Sequence, residues 1–256
     1  MNCDRARLHA HPEAPVAHDV ALSYRERIAR RASREPLQYI TGLQEFWSLP
    51  FRVTPAVMIP RPETELIVEA CVARCSKPEA IVVDVATGSG CVAVAVAREL
   101  PDALVHATDL AEEALGVARF NAARNDVGGR IAFYQGDLYQ PLRGLGLEGR
   151  VDFVLCNPPY VAESDLATLE PEVRDHEPRA ALTPGPDPLA VHRRLAAQAP
   201  QFLTPGGFVI AEFGIGQTQA VSRAYAGVAG LEVEEIRKDL AGLDRVLVAR
   251  ASPASG

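Results

Sequence analysis

Residues 81–100, IVVDVATGSGCVAVAVAREL, pass from an apolar run through a turn holding two glycines into a second apolar run. That order constrains the fold more than any other feature of the chain. IVVDV reads as a short buried strand. The glycines let the backbone turn sharply and approach a ligand closely, and residues 91–100 continue as a helix. The alternation then repeats. Strands are expected over 103–109, 131–137, 151–157 and 206–213, and helices over 111–125, 187–200 and 217–228. Strands that alternate with helices imply parallel βαβ units. Strands at 231–237 and 244–250 lie too close for a helix between them, so they pair antiparallel. The prediction is an α/β Rossmann-like, seven-stranded, doubly wound sheet whose last strand is antiparallel.

Upstream, residues 1–35 are charged, Ala-rich and helical at most. Residues 36–60 turn to aromatics, β-branched residues and turn formers, which suits short strands or a hairpin. Pro62 opens a helix to about Cys75, with Glu63 in its first turn, where an acid suits the helix dipole. We expect a short helical segment and hairpin over 1–60, the Rossmann-like domain over 61–256, and a frayed tail from residue 251.

The net charge of −7 argues against a chain that grips a nucleic-acid backbone, since that affinity comes from Lys and Arg on phosphates. The run Arg25, Arg27, Arg30, Arg31 and Arg34 reads as the solvated face of a helix. The five cysteines, Cys3, Cys71, Cys75, Cys91 and Cys156, form no Cys-x-x-Cys pair, and no metal site is expected. An odd count without framework spacing fits free thiols in a reducing compartment. The N-terminus lacks the apolar core of a signal peptide, and no apolar run approaches a membrane span. A cytoplasmic monomer without membrane contact is the expectation.

Asp84-Val85-Ala86-Thr87-Gly88-Ser89-Gly90 marks a ligand site between strand and helix. A phosphate loop would need Gly-Lys-Ser/Thr, and a dinucleotide fingerprint would need a third glycine; both are absent. Asp109 ends the next strand, about where such folds place an acid on ribose hydroxyls. Asp137, followed by Leu138, ends the third. Asp84, Asp109 and Asp137 therefore share the carboxyl edge of the sheet, and an acidic rim suits a ligand whose reactive centre is a sulfonium cation. Ala86, Thr87, Gly88, Ser89, Gly90, Asp109, Asp137, Leu138 and Asn157 are the candidate cofactor residues.

Asn157-Pro158-Pro159-Tyr160 ends the fourth strand at the same edge. Two prolines fix the backbone, so a carbonyl and the Asn157 side chain can point one way at little entropic cost. An sp² amino group is a poor nucleophile because its lone pair is delocalised. Accepting hydrogen bonds from both its N–H groups pushes density onto nitrogen and holds it in line. Tyr160 offers a ring face to a planar group. Such a catalyst works by positioning and by stabilising developing charge.

That turn resembles the amino-methyltransferases. Arg34-Glu35-Pro36-Leu37-Gln38-Tyr39-Ile40-Thr41-Gly42, Glu45-Phe46-Trp47, Ile59-Pro60-Arg61-Pro62-Glu63-Thr64-Glu65, residues 171–179 and residues 237–242 narrow the resemblance to the bacterial release-factor glutamine methyltransferase family (the PrmC/HemK type). The resemblance runs from about residue 34 to 250. It implies a class I S-adenosylmethionine-dependent fold, S-adenosyl-L-methionine as cofactor, and class I peptide-chain release factors as protein substrates, methylated on the glutamine of a Gly-Gly-Gln tip. It implies that Asn157, Pro158 and Tyr160 are catalytic, and that Asn157, Pro158, Pro159 and Tyr160 hold the amide, with the segment from Arg61 to Thr64 closing over the site and Arg61 and Glu63 binding substrate. Two features depart from the family pattern. Ala86 stands where glycine is usual, and the segment before Arg34 is roughly half the family's N-terminal domain, so a shortened domain or a misplaced start is expected. The competing readings are an adenine N6-methyltransferase on DNA or RNA, which would want a basic groove, and a degenerate cofactor-binding module.

Overall fold

The computed structural model describes residues 5–253. Helices α1 (Arg5–Ala10), α2 (His18–Ala32) and α3 (Leu37–Thr41) lead into a hairpin of β1 (Leu43–Phe46) and β2 (Leu49–Arg52). A 3₁₀ turn at Pro62–Thr64 opens α4 (Glu65–Arg74). The body alternates through β3 (Ile81–Val85), α5 (Cys91–Glu99), β4 (Leu104–Asp109), α6 (Glu112–Arg124), β5 (Ile131–Gln135) and β6 (Val151–Cys156). Two short helices follow, α7 (Pro171–Arg174) and α8 (Arg179–Leu182). The chain continues through α9 (Ala190–Phe202), β7 (Leu203–Glu212), α10 (Thr218–Ala226), β8 (Leu231–Lys238) and β9 (Asp244–Ala251).

Every residue of β3 is buried, because helices cover both faces of the sheet. Side chains of β3 alternate between the two layers. Val82 packs with Ile67, Val94 and other residues of α4 and α5, whereas Val83 and Val85 pack with Leu195, Phe202 and Val221 of α9 and α10. Helix α5 is buried from Cys91 to Ala97, which explains its lack of a polar face. The sheet order is β5-β4-β3-β6-β7-β9-β8. From β5 to β7 neighbouring strands are parallel. The order reverses between β3 and β6, and ligands of open α/β sheets bind at such a switch point.

The sequence pattern anticipates these strands and the antiparallel last strand, but several details differ. Strands β8 and β9 form the expected antiparallel hairpin, but β9 lies on its inner side, between β7 and β8 and antiparallel to both, so β8 is the edge strand. Strand β5 ends at Gln135, so Asp137 lies beyond it. The expected tail starts too early. Ala251 pairs with Leu231, and the Ser252 N–H donates to Gly230 O at 2.9 Å. Residues 254–256 and Cys3 lie outside the described residues. Helix α2 has no buried residue, yet its arginine run is more than a solvated face. Arg31 and Arg34 reach Glu172 of α7 at 2.9 and 2.7 Å. The hairpin is built into the body: Phe46 and Phe51 join the α4–α5 core, and Asn121 of α6 binds the backbone of Arg52 in both directions.

Candidate active site

The carboxyl ends of β3, β4 and β6 surround an open cleft with an empty volume of about 1150 Å³, its mouth included. Its floor is the turn after β3. Ala86, Gly88 and Gly90 adopt φ of 57°, 54° and 78°. The left-handed region costs an L-residue roughly 1–2 kcal/mol, so Ala86 holds a conformation that glycine would take freely. The turn is fastened from below. Asp84 Oδ2 accepts from Thr87 Oγ1 at 2.6 Å and from Ala93 N at 3.2 Å. Burial pushes the Asp84 carboxyl up to about 7, against the pull of these donors.

Asp109 ends β4 and touches the same turn. Its Oδ2 accepts from Gly88 N at 2.8 Å and its Oδ1 from Ala111 N at 3.0 Å. Burial raises this carboxyl, while the backbone donors lower it. Asp137 lines the opposite wall, paired with Arg194 of α9, and Leu138 follows it with φ of 50°. Val57, Met58, Leu110 and Ala114 add apolar lining.

Ala86, Thr87, Gly88, Ser89, Asp109, Asp137, Leu138, Asn157 and Pro159 all line this cleft. Gly90, Pro158, Tyr160, Arg61 and Glu63 are not part of its lining, although Pro158 and Tyr160 adjoin the lining residues Asn157 and Pro159 in one turn. Gly90 serves packing: a Cβ there would lie 2.9 Å from Ala118 Cβ of α6. Arg61 is ion-paired to Glu177, whose side chain is 1% exposed, so the segment before α4 is joined to the chain between α7 and α8.

Asn157 sits where β6 runs out. Its Nδ2 donates to Thr64 Oγ1 at 3.0 Å. Thr64 Oγ1 in turn donates to Glu212 Oε2 at 2.6 Å, and Tyr160 OH donates to Glu212 Oε1 at 3.0 Å. Glu212, at the end of β7, is 1% exposed. Burial raises its carboxyl; the two hydroxyl donors and nearby Arg245 lower it, and Glu63 raises it. Gln217 Nε2 donates to Tyr160 O at 2.8 Å and fixes the end of the turn.

Residues 62–173 match the methyltransferase small domain family, and residues 1–42 match the PrmC N-terminal domain family. The release factor glutamine methyltransferase of Geobacter sulfurreducens is 41% identical over 250 residues, spanning 98% of this chain and 85% of that protein. The one from Moorella thermoacetica is 43% identical over 246 residues, 96% of this chain and 85% of that protein. The chain belongs to the release factor glutamine methyltransferase family. Among solved structures, the ribosomal protein L11 methylase of Lactobacillus delbrueckii subsp. bulgaricus has a TM-score of 0.55 at 20% identity, over 79% of this chain and 85% of that one. That likeness shows the class I methyltransferase fold.

The family likeness reaches further upstream than the motifs from Arg34 onward: α1 and α2 fall inside the matched N-terminal domain. Thr64 belongs to the Arg61–Thr64 segment expected at the site, whereas Glu212 is not marked by any motif in the sequence. The available signal for Glu212 was an acid at the carboxyl end of an apolar strand, at the edge that also carries Asp84 and Asp109. Among the described residues no cluster of His, Cys, Asp or Glu could hold a metal ion, and no helix is long and apolar enough to cross a membrane.

Proposed function

We propose that this methyltransferase moves a methyl group from S-adenosylmethionine to the side-chain amide nitrogen of the glutamine in the Gly-Gly-Gln loop of class I release factors. The observation that carries it is Asn157. The side chain is held from behind at Nδ2, so Oδ1 is the atom left to accept a hydrogen bond from an incoming amide.

The cleft suits the cofactor. Asp109 binds two backbone N–H groups, and a carboxylate has about four lone-pair sites, so acceptors remain for ribose hydroxyls. Leu110 and Leu138 supply apolar walls for a flat base. The one cationic lining residue among those described, Arg194, is paired to Asp137, which leaves nothing to neutralise a pyrophosphate and suits a cationic ligand. Bound there, S-adenosylmethionine supplies an electrophilic methyl group on a positively charged sulfur. Asn157 Oδ1 and the Pro158 carbonyl accept the two amide hydrogens, which drives lone-pair density onto nitrogen and orients it. As the carbon–nitrogen bond forms and the methyl–sulfur bond breaks, with the electron pair staying on sulfur, these same acceptors would stabilise the growing positive charge on nitrogen. The extra proton then leaves to solvent. Tyr160, with its hydroxyl tied to Glu212, places a ring beside the amide.

We read residues 1–60 as the part that helps present the substrate, with the hairpin anchored in the body, and residues 61–256 as the catalytic domain. We read the enzyme as a monomer in the cytoplasm, a compartment that suits the four free cysteines among the described residues. The test offers enzyme and isotopically labelled cofactor either a release factor or unmodified DNA and total RNA. Label should enter the Gly-Gly-Gln peptide and vanish when that glutamine becomes glutamate. Label on nucleic acid alone would overturn the proposal.

A further inference from the structure

We propose that Glu212 is a positioning residue: through Thr64 it fixes which end of the Asn157 side-chain amide faces the substrate. This rests on the amide-methylation reading above, and it adds a part that reading does not use. An asparagine amide can be seated either way round with nearly the same shape. Only one seating is productive, because an –NH₂ aimed at the substrate –NH₂ would set donor against donor.

The polarity of the network decides between them. A carboxylate only accepts hydrogen bonds, whereas a hydroxyl has one hydrogen to give. Thr64 Oγ1 gives that hydrogen to Glu212 Oε2 at 2.6 Å. Toward Asn157 it can therefore only accept, so the atom 3.0 Å away must be Nδ2. Oδ1 is left pointing away, as an acceptor. The second carboxylate oxygen accepts from Tyr160 OH at 3.0 Å, so one buried acid fixes both ends of the Asn-Pro-Pro-Tyr turn. Glu212 is 1% exposed, and Arg245, a cation that favours its charged form, is itself engaged with Asp239 at 2.8 Å. A buried acid without its own counter-ion is costly, and an apolar residue would serve the sheet better. Orienting the two hydroxyls accounts for its presence.

The experiment compares Thr64→Ser, Thr64→Val and Glu212→Gln. Release-factor methylation is measured as kcat and KM, with cofactor affinity by calorimetry and folding by thermal melting. Thr64→Ser keeps the hydroxyl and should stay within about threefold of the parent kcat. Thr64→Val has nearly the same shape without it. Glu212→Gln puts an N–H opposite one hydroxyl. Both should lower kcat by roughly 10–100-fold, the range for losing a group that holds a reacting ligand in place. Cofactor affinity and KM should move less than about threefold. Equal activity in Thr64→Val and Thr64→Ser, both folded, would overturn the assignment whatever Glu212→Gln does. So would a kcat loss matched by an equal loss of cofactor affinity, which marks a structural role. Parent enzyme that labels no release factor would instead overturn the amide reading, and this assignment with it.

Discussion

Ala86 carries a side chain at φ 57°, a conformation that disfavours one. Replacing it with glycine removes roughly 1–2 kcal/mol of strain but adds roughly 0.5–1 kcal/mol of chain entropy to lose on folding. Ala86→Gly should therefore melt within a few degrees of the parent and bind cofactor equally well or more tightly; clearly weaker binding by calorimetry would show that the Ala86 methyl makes a needed contact. Asp109→Ala removes both the proposed ribose acceptor and the Oδ2 contact to Gly88 N. Cofactor affinity should fall by about 1.5–3 kcal/mol, as for hydrogen bonds to a charged acceptor. Unchanged affinity in a titration would refute that role. Asn157→Ala removes the preorganised acceptor and should cut kcat by about 10²–10³-fold, with a much smaller effect on cofactor binding. Survival of turnover within a few-fold, measured with saturating release factor, would reject the amide-holding mechanism. At this scale the sequence was most legible where function is local. The glycine turn, Asp109 and the Asn-Pro-Pro-Tyr turn each announce themselves within a few residues. Glu212 did not, because its partners Thr64 and Tyr160 are 148 and 52 positions away.

At the level of elements, β3 and the turn behind it form one device. Asp84 is a strand residue whose carboxylate holds the turn, and burial lifts it from an ordinary 3.8 to about 7. The folded state thus favours the protonated form. This contribution to stability is fully present below about pH 3.8 and is lost as the pH rises through about 7. Asp84→Asn removes that titration while keeping one acceptor. The melting temperature of the variant relative to the parent should therefore rise between pH 5 and pH 8. A difference that does not change with pH would reject the coupling. Runs such as IVVDV and VDFVLC reveal their strands because both faces are covered. Helices α7 and α8, four residues each, escape notice since they are shorter than the periodicity needed to detect a helix. The insertion of β9 between β7 and β8 also escapes: an alternation pattern says that two strands pair, not which neighbour lies on the far side.

Across the whole molecule, the sheet divides the core in two, one cluster joining the hairpin, α4 and α5 and the other joining α9 and α10, whereas α2 contributes no buried residue. Among the described residues, ion pairs from Arg31, and from Arg34 just past its end, tie it to Glu172 and Glu170 at the surface. Such pairs add little to stability. Arg31→Ala combined with Arg34→Ala should shift the melting temperature by less than about 2 °C, as expected for losses of surface pairs in a chain this size. A larger drop in a calorimetric scan would mean that α2 is integral to the core. The position of β9 bears on assembly order. Since β8 reaches the sheet only through β9, the rim cannot be laid down strand by strand as the chain emerges. Until β9 threads into place, β7 presents a bare edge to any neighbouring strand, which makes that interval the one in which the nascent molecule is most open to mispairing.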